Sequence, residues 1–259
     1  ATFFKRLMFN FSLKLGNIAT ERRLNRSFND LIARILLLIA HILSFRTLKK
    51  KLGLSKIAIA ISGAAPISPE VLKFFMALGV PIFEAYGMTE NCAYVTSNDF
   101  ESIEIGSVGR PHENCEIKIA DDGEILTRHG GTFKGYFKDE KSTREVIDEE
   151  GWLHTGDVGE ITERGSLIIT DRKKDIIMTS GGKNVSPSEI ENKIKASPFI
   201  KDALVVGDRR KFLSCLVAIE FETVSNWALR KKIPFTTYRD LTEKSEVREL
   251  VSKEIIRAN

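Results

Sequence analysis

The chain has 259 residues, 42% hydrophobic and 29% charged, which is enough to bury a sizeable core in one large domain or two smaller ones. Cys92, Cys115 and Cys215 lie far apart in odd number, which argues against a disulfide framework or a cysteine metal site and for reducing, cytoplasmic surroundings. The net charge of +4 is uneven: residues 1–56 carry twelve Lys or Arg, Arg26 among them, against Glu21 and Asp30, a local +10 that leaves −6 for the rest.

Residues 1–52 carry apolar side chains at three- and four-residue intervals without proline, a helical pattern. Within them "LIARILLLIAHIL", Leu31 to Leu43, is thirteen residues long. A bilayer span needs about twenty, so the run is expected to be a buried or interfacial helix. The surrounding basic charge suits peripheral contact with the inner face of a membrane; a solvated helical face gives the same pattern. No nucleic-acid partner is expected.

From residue 53 the texture changes. "KIAIAIS" predicts a strand at 57–61, Ser68 and Pro69 predict a capped helix closed by Gly79, and "VPIFEAYG" predicts a second strand. This is a βαβ-like unit over 53–104. From 105 to 170, runs such as "CEIKIADDGEILTR" and "VGEITERGSLIIT" place turn residues between alternating segments, as antiparallel hairpins require. After "DRKKD", residues 171–175, the sequence "VSPSEIENKIKAS" carries a helix start: Ser186 as cap, Pro187 as first residue and Glu189 closing a capping box. Strands at "DALVVGD" and "FLSCLVAIEF" and helices at 223–231 and 240–256 follow. The fold class expected is α/β plus a β-rich subdomain, followed by a small α+β domain.

Four short motifs carry chemistry. "SGAAP", Ser62 to Pro66, offers small residues against which a flat ring can lie, or is a tight turn feeding a helix. "YGMTEN" lies at the carboxyl end of a predicted strand, where α/β folds bind ligands. Tyr86 can stack on a base, Gly87 allows close backbone approach, Thr89 can donate to a phosphate and Glu90 can hold Mg²⁺; an ordinary turn reads the same. In "WLHTGD" the Asp157 carboxylate suits a ribose, or the motif is a hairpin entry. "DRKKDIIMTSGGKN" is a charged linker before a glycine pair. Its "TSGGKN" does not match the phosphate-loop template, because Asn184 stands where that template needs Ser or Thr.

Taken in order, "SGAAPIS", "YGMTE", "GEILTRHGGTFKGYFKD", "GWLHTGD" and "DRKKDIIMTSGGKNVSPSEIE" resemble the adenylate-forming superfamily, and within it the long-chain fatty-acyl-CoA synthetases. The resemblance runs from about residue 55 to the end. It implies a large adenylate-binding domain to residue 170, a hinge at 171–175 and a lid domain at 176–259, incomplete. It implies that Gly63, Ala64 and Ala65 wall the adenine and that Tyr86 stacks on it. Thr89 then contacts phosphate, Glu90 holds Mg²⁺, and Asp157 and Arg172 bind the ribose. Lys174 is the hinge, and Gly181 and Gly182 line a tunnel for the pantetheine of coenzyme A.

The implied reaction joins a fatty acid to ATP as an acyl-adenylate and then transfers the acyl group to coenzyme A. The family's Pro-Lys-Gly phosphate loop is not in this sequence, and its adenylation lysine would lie past "KEIIRAN"; Lys183, Lys231 and Lys253 do not stand in its motif. The resemblance therefore implies a carboxyl-side piece with little adenylation of its own. A ligase for a shorter or aromatic acid, a non-enzymatic AMP-binding homologue and a lipid-surface module remain as alternatives.

Overall fold

The computed structural model describes residues 3–25, 27 and 29–258. Arg26, counted in the basic segment, lies outside them. The chain divides into two compact units: one holds the chain up to Thr155 together with Gly159–Ile169, the other Gly156–Val158 together with the chain from Thr170.

The first unit opens with helices α1 (Phe3–Asn25) and α2 (Leu31–Ala40), the latter continuing through a π-turn at His41–Phe45 into α3 (Arg46–Lys51). Asp30 caps α2 by accepting the Ala33 N–H at 2.8 Å, and it pairs with Arg22 of α1 at 2.8 Å. The run expected as a buried or interfacial helix is part of a longer helical stretch and is not buried within the first unit. No proline or glycine interrupts the chain, so Leu31–Lys51 forms 21 helical residues, long and apolar enough to cross a membrane by length and composition, with 22% of its apolar window buried. Leu31, Leu38 and Ile42 are 68%, 60% and 70% exposed.

α1 packs through its small residues. Ser12, Gly16, Ala19 and Thr20 are its buried positions, whereas Phe3, Phe4, Leu7 and Phe11 are exposed. Gly16 is obligatory for this approach: a Cβ there would stand 2.3 Å from the carbonyl oxygen of Ala77 in α4 (Pro69–Ala77).

Strand β1 (Ala60–Ser62) precedes α4, and β2 (Ile82–Tyr86) follows it in parallel with β1. The ladder covers only three residues, Ala60↔Ile82 to Ser62↔Glu84, so β1 begins three residues later than the sequence predicts. Ser68 caps α4 by accepting the Val71 N–H at 3.3 Å. Gly79, at φ +75°, closes it in a left-handed turn. Short strands β3 (Thr96–Ser97) and β4 (Arg110–Pro111) add antiparallel to give the order β1-β2-β3-β4.

A second four-stranded sheet, in sequential order, comprises β5 (Glu116–Ile119), β6 (Glu124–Arg128), β7 (Leu153–Ile161) and β8 (Leu167–Arg172). Its hairpins turn at Gly123 and Gly165, at φ +85° and +80°. Tyr86, Val95, Cys115, Ile125 and Leu167 form the core of this region. Helix α5 (Glu140–Val146) is not legible in the sequence: it buries no residue, so no apolar periodicity marks it, and the Asp139 cap on Ser142 N–H is its one local signal.

In the second unit, β9 (Ile177–Met178) and β10 (Asn184–Val185) form a hairpin, followed by α6 (Pro187–Lys195) and the antiparallel pair β11 (Ile200–Val206) and β12 (Ser214–Ile219). Helices α7 (Phe221–Arg230), α8 (Tyr238–Glu243) and α9 (Ser245–Ala258) complete it around Ile219, Val224, Ala228, Leu241 and Val247.

Substituting Gly16→Ala sets two effects against each other. Alanine gains about 1 kcal/mol of helix propensity, but the Cβ meets backbone that cannot yield as a flexible side chain would, an overpacking cost of about 1–3 kcal/mol. A lower urea midpoint is expected for the variant, and an equal or higher one would show that α1 and α4 are not in this contact.

Candidate functional site

The loop after β2 carries Tyr86, Gly87, Thr89 and Glu90. Its shape is set by Asn91, which is fully buried and whose Oδ1 accepts the Met88 N–H at 2.7 Å. Asn91 and Ala93 N–H groups donate back to the Met88 carbonyl at 3.1 and 2.8 Å, closing a 3₁₀ turn at Thr89–Asn91. Cys92 and Ala93 then sit at φ +56° and +52°. Two successive non-glycine residues in the left-handed region are strained and persist because the surroundings hold them.

The close approach expected at Gly87 is made by the protein itself: a Cβ there would stand 2.4 Å from Ala93 Cα. Tyr86 is 8% exposed and belongs to the apolar core, so most of its ring is already covered. Thr89 is exposed. Glu90 is half-buried, and its Oε1 accepts the Tyr136 hydroxyl at 2.9 Å while its carbonyl accepts the Phe133 N–H at 2.8 Å. The bond to Glu90 raises the Tyr136 phenol above its ordinary pKa.

Gly63, Ala64 and Ala65 lie exposed just past β1, with Ala64 at φ +67°. A Cβ on Gly63 would stand 3.0 Å from the Ala85 carbonyl, so this loop crosses the backbone of β2 closely. One position earlier, Glu84 is 8% exposed, and burial pushes its carboxyl up to about 7.

In the second unit, Asp157 is 7% exposed in β7, and its Oδ1 lies 3.2 Å from Arg172 Nε in β8. Gly156, at φ +71°, accepts the Lys173 N–H at 2.8 Å. Asp171 is 5% exposed and tightly held. Its carboxylate accepts the Ser186 hydroxyl at 2.7 Å, the Ser188 hydroxyl at 2.9 Å, the Ser188 N–H at 3.1 Å and the Arg172 N–H at 2.7 Å.

Ser186 caps α6 as expected, accepting the Glu189 N–H at 3.2 Å. The Glu189 side chain is drawn to Lys193 at 2.8 Å, and the carboxylate that reaches the first turn of α6 is that of Asp171, which accepts the Ser188 N–H. Lys174 is exposed in the turn that follows. "TSGGKN" is the tip of the β9–β10 hairpin: Thr179 N–H donates to the Lys183 carbonyl at 3.0 Å, and Gly182 sits at φ +77° with open space around it.

Thr89, Glu90, Tyr86 and the Gly63–Ala65 loop thus belong to the first unit, and Asp157, Arg172, Lys174, Gly181 and Gly182 to the second. Asn91, Tyr136, Asp171 and Glu84 were not singled out from sequence. Asn91 stands three residues after Met88, the spacing of a local side-chain bond; Tyr136 and Asp171 lie inside the motifs; Glu84 is an acid within an apolar strand. Among the described residues no cluster of three His, Cys, Asp or Glu is placed to hold a metal ion.

The architecture is that of solved adenylate-forming enzymes. O-succinylbenzoate coenzyme A synthetase from Bacillus subtilis, in complex with ATP and magnesium ion, superposes with TM-score 0.57 at 27% identity, over 75% of this chain and 45% of that one. Models of the AMP-binding enzyme family and of the AMP-binding enzyme C-terminal domain match residues 22–137 and 174–253, together most of the sequence, and the chain belongs to this family.

Long-chain-fatty-acid–CoA ligase FadD15 of Mycobacterium bovis is 41% identical over 188 residues, 73% of this chain and 31% of that protein. Long chain acyl-CoA synthetase 7, peroxisomal, of Arabidopsis thaliana is 35% identical over 229 residues, 82% of this chain and 33% of that protein. The chain spans about a third of the length of the curated relatives it matches.

Replacing Asp171 by Ala leaves the Ser188 hydroxyl and two backbone donors to find new partners, while the Ser186 hydroxyl keeps the Thr170 carbonyl at 2.9 Å, at a cost of about 2 kcal/mol or more. Glu189→Ala removes an exposed ion pair worth under about 0.5 kcal/mol. Urea denaturation of the two variants is expected to show this order, and the reverse order would place the α6 cap on Glu189.

Proposed function

We propose that this sequence is part of a long-chain fatty-acid–CoA ligase, which converts ATP, a fatty acid and coenzyme A to acyl-CoA, AMP and pyrophosphate through an acyl-adenylate. The observation that carries this reading is the 41% identity to FadD15 over 188 residues, beside the five motifs in their order. Sequence identity of this extent to a ligase for long chains favours that substrate over a shorter or aromatic acid.

Asp157 is the residue proposed to receive the ribose hydroxyls. A carboxylate accepts two hydrogen bonds, and the Arg172 guanidinium beside it keeps it oriented. Gly63–Ala65 present backbone to the base, and what is left exposed of Tyr86 completes the contact. Thr89 donates its hydroxyl to phosphate oxygen. Glu90 fits a magnesium site of the kind that uses one protein carboxylate with phosphates and waters, since Tyr136 occupies only one of its oxygens. Bound there, the ion would neutralise charge on the triphosphate.

Lys174 is proposed as the hinge at which a lid turns between the two half-reactions, and Gly181 and Gly182 as the hairpin tip that leaves room for pantetheine. The open space around Gly182 supports that role. A second reading, peripheral contact with an anionic membrane, rests on the exposed Phe3, Phe4, Leu31, Leu38 and Ile42 beside the +10 segment.

Calorimetric titration with AMP tests the nucleotide reading. Binding is expected for the wild-type chain, and Asp157→Ala should weaken it about tenfold or more, the value of a charge-assisted hydrogen bond. No AMP binding, or equal binding by the variant, would contradict it. For the membrane reading, co-sedimentation with phosphatidylserine vesicles should fall steeply with added salt, and binding that is absent or insensitive to salt would remove it.

A further inference from the structure

Helix α5 buries no residue, and the reaction proposed above gives it no task. It is, however, bonded to the segment just before it. The Thr143 hydroxyl oxygen in α5 accepts the Tyr136 N–H at 2.9 Å, and that hydroxyl donates to the Asp139 carbonyl at 2.8 Å. The Asp139 N–H donates to the Tyr136 carbonyl at 3.2 Å. Gly135, at φ +140°, lets the chain pass close over α5: a Cβ there would stand 2.5 Å from Thr143 Cγ2. Both backbone groups of Tyr136 are therefore tied to α5 or to its cap.

From this anchored position the side chain reaches 46 residues back along the chain, where the Tyr136 hydroxyl donates to Glu90 Oε1 at 2.9 Å. Phe133, whose ring meets that of Tyr136 edge-on at 5.0 Å, donates its N–H to the Glu90 carbonyl at 2.8 Å. One short segment thus grips Glu90 by its carboxylate and by its backbone. Among the described residues, the bond from Tyr136 is the one that the carboxylate accepts.

Packing alone does not call for a tyrosine here. The residue is 39% exposed, and phenylalanine would supply the same ring. What the hydroxyl adds is a hydrogen bond to an ionised acceptor, the stronger, charge-assisted kind. A glutamate without such a bond samples several rotamers, and binding a ligand would have to order it. With Oε1 held, the carboxylate is turned one way and Oε2 is the oxygen left to offer.

We propose that Tyr136 is a positioning residue: anchored by α5, its hydroxyl orients the Glu90 carboxylate so that one oxygen stays available to a divalent cation. The cation's part rests on the reading of Glu90 as a magnesium site; the orientation of Glu90 does not.

The test measures the ATP dissociation constant of the whole chain with and without magnesium, for wild type, Tyr136→Phe, Glu90→Gln and the double variant. Hydrogen-bond partners of metal ligands typically contribute about ten- to a hundredfold to metal affinity. Magnesium should tighten ATP binding in wild type, and Tyr136→Phe should lower that gain about tenfold, or abolish a smaller one. Metal-free ATP affinity should stay at the wild-type value, which a variant that merely loosened the fold would not keep. In the Glu90→Gln background, Tyr136→Phe should cost nothing further, because residues that act through one another are not additive. A full magnesium gain in Tyr136→Phe, or losses that simply add, would overturn the proposal.

Orientation is read separately, without nucleotide or metal, from ¹³C relaxation of the Glu90 side-chain methylenes. Their order parameters should fall in Tyr136→Phe, and equal order in the two proteins overturns the proposal. Thr143→Val, which removes the acceptor of the Tyr136 N–H, should move both readouts in the same direction and decides the matter if Tyr136→Phe does not fold. A wild-type chain that binds no ATP, or whose ATP binding ignores magnesium, removes the magnesium reading and leaves the relaxation comparison to judge Tyr136.

Discussion

Two of the segments that carry proposed ligand contacts are held by a buried polar side chain as well as by backbone bonds. Asn91 fixes the turn with Thr89 and Glu90 through the Met88 N–H. Asp171 ties the start of the second unit to the first turn of α6 through two serines. Loops that present backbone and small residues to a ligand have little apolar surface with which to hold themselves, and a hydrogen-bonded buried group is the available substitute. Left-handed Cys92 and Ala93 are the conformations that the Asn91 turn maintains.

Much of the fold was legible because local chemistry and tertiary structure agree. Ser68-Pro69 and Ser186-Pro187 mark helix starts that the structure uses as caps. Turn glycines at 79, 123 and 165 adopt the left-handed conformation their sequence context predicts. What was not legible had no local signature. α5 packs no face, so periodicity could not reveal it. Helix up to Lys51 is part of the pattern over residues 1–52, but the π-turn at His41–Phe45 is announced by no residue type. Glu189 was the natural candidate for the α6 capping box, and only the folded chain brings the Asp171 carboxylate to the Ser188 N–H of its first turn.

For the site, the sequence names the residues that would touch a ligand better than those that position them. Contact residues stand in short ordered motifs. Their supports act across the fold: Tyr136 reaches Glu90 from 46 positions away, and Asn91 reaches Thr127 from 36. Burial also revises how two contacts would work. The Tyr86 ring is largely covered, and Gly87 serves the turn's own packing against Ala93. The family assignment does not depend on these points, because it rests on the two matching domains and on relatives at 35–41% identity.

The central claim is that the Gly63–Ala65 and Tyr86–Glu90 loops face an adenine ring. Photolabelling the chain with 8-azido-AMP, followed by peptide mapping, tests it most directly. The account predicts label on the peptides that contain these loops, suppressed by excess AMP. Label confined to other parts of the chain, or unaffected by excess AMP, would contradict it.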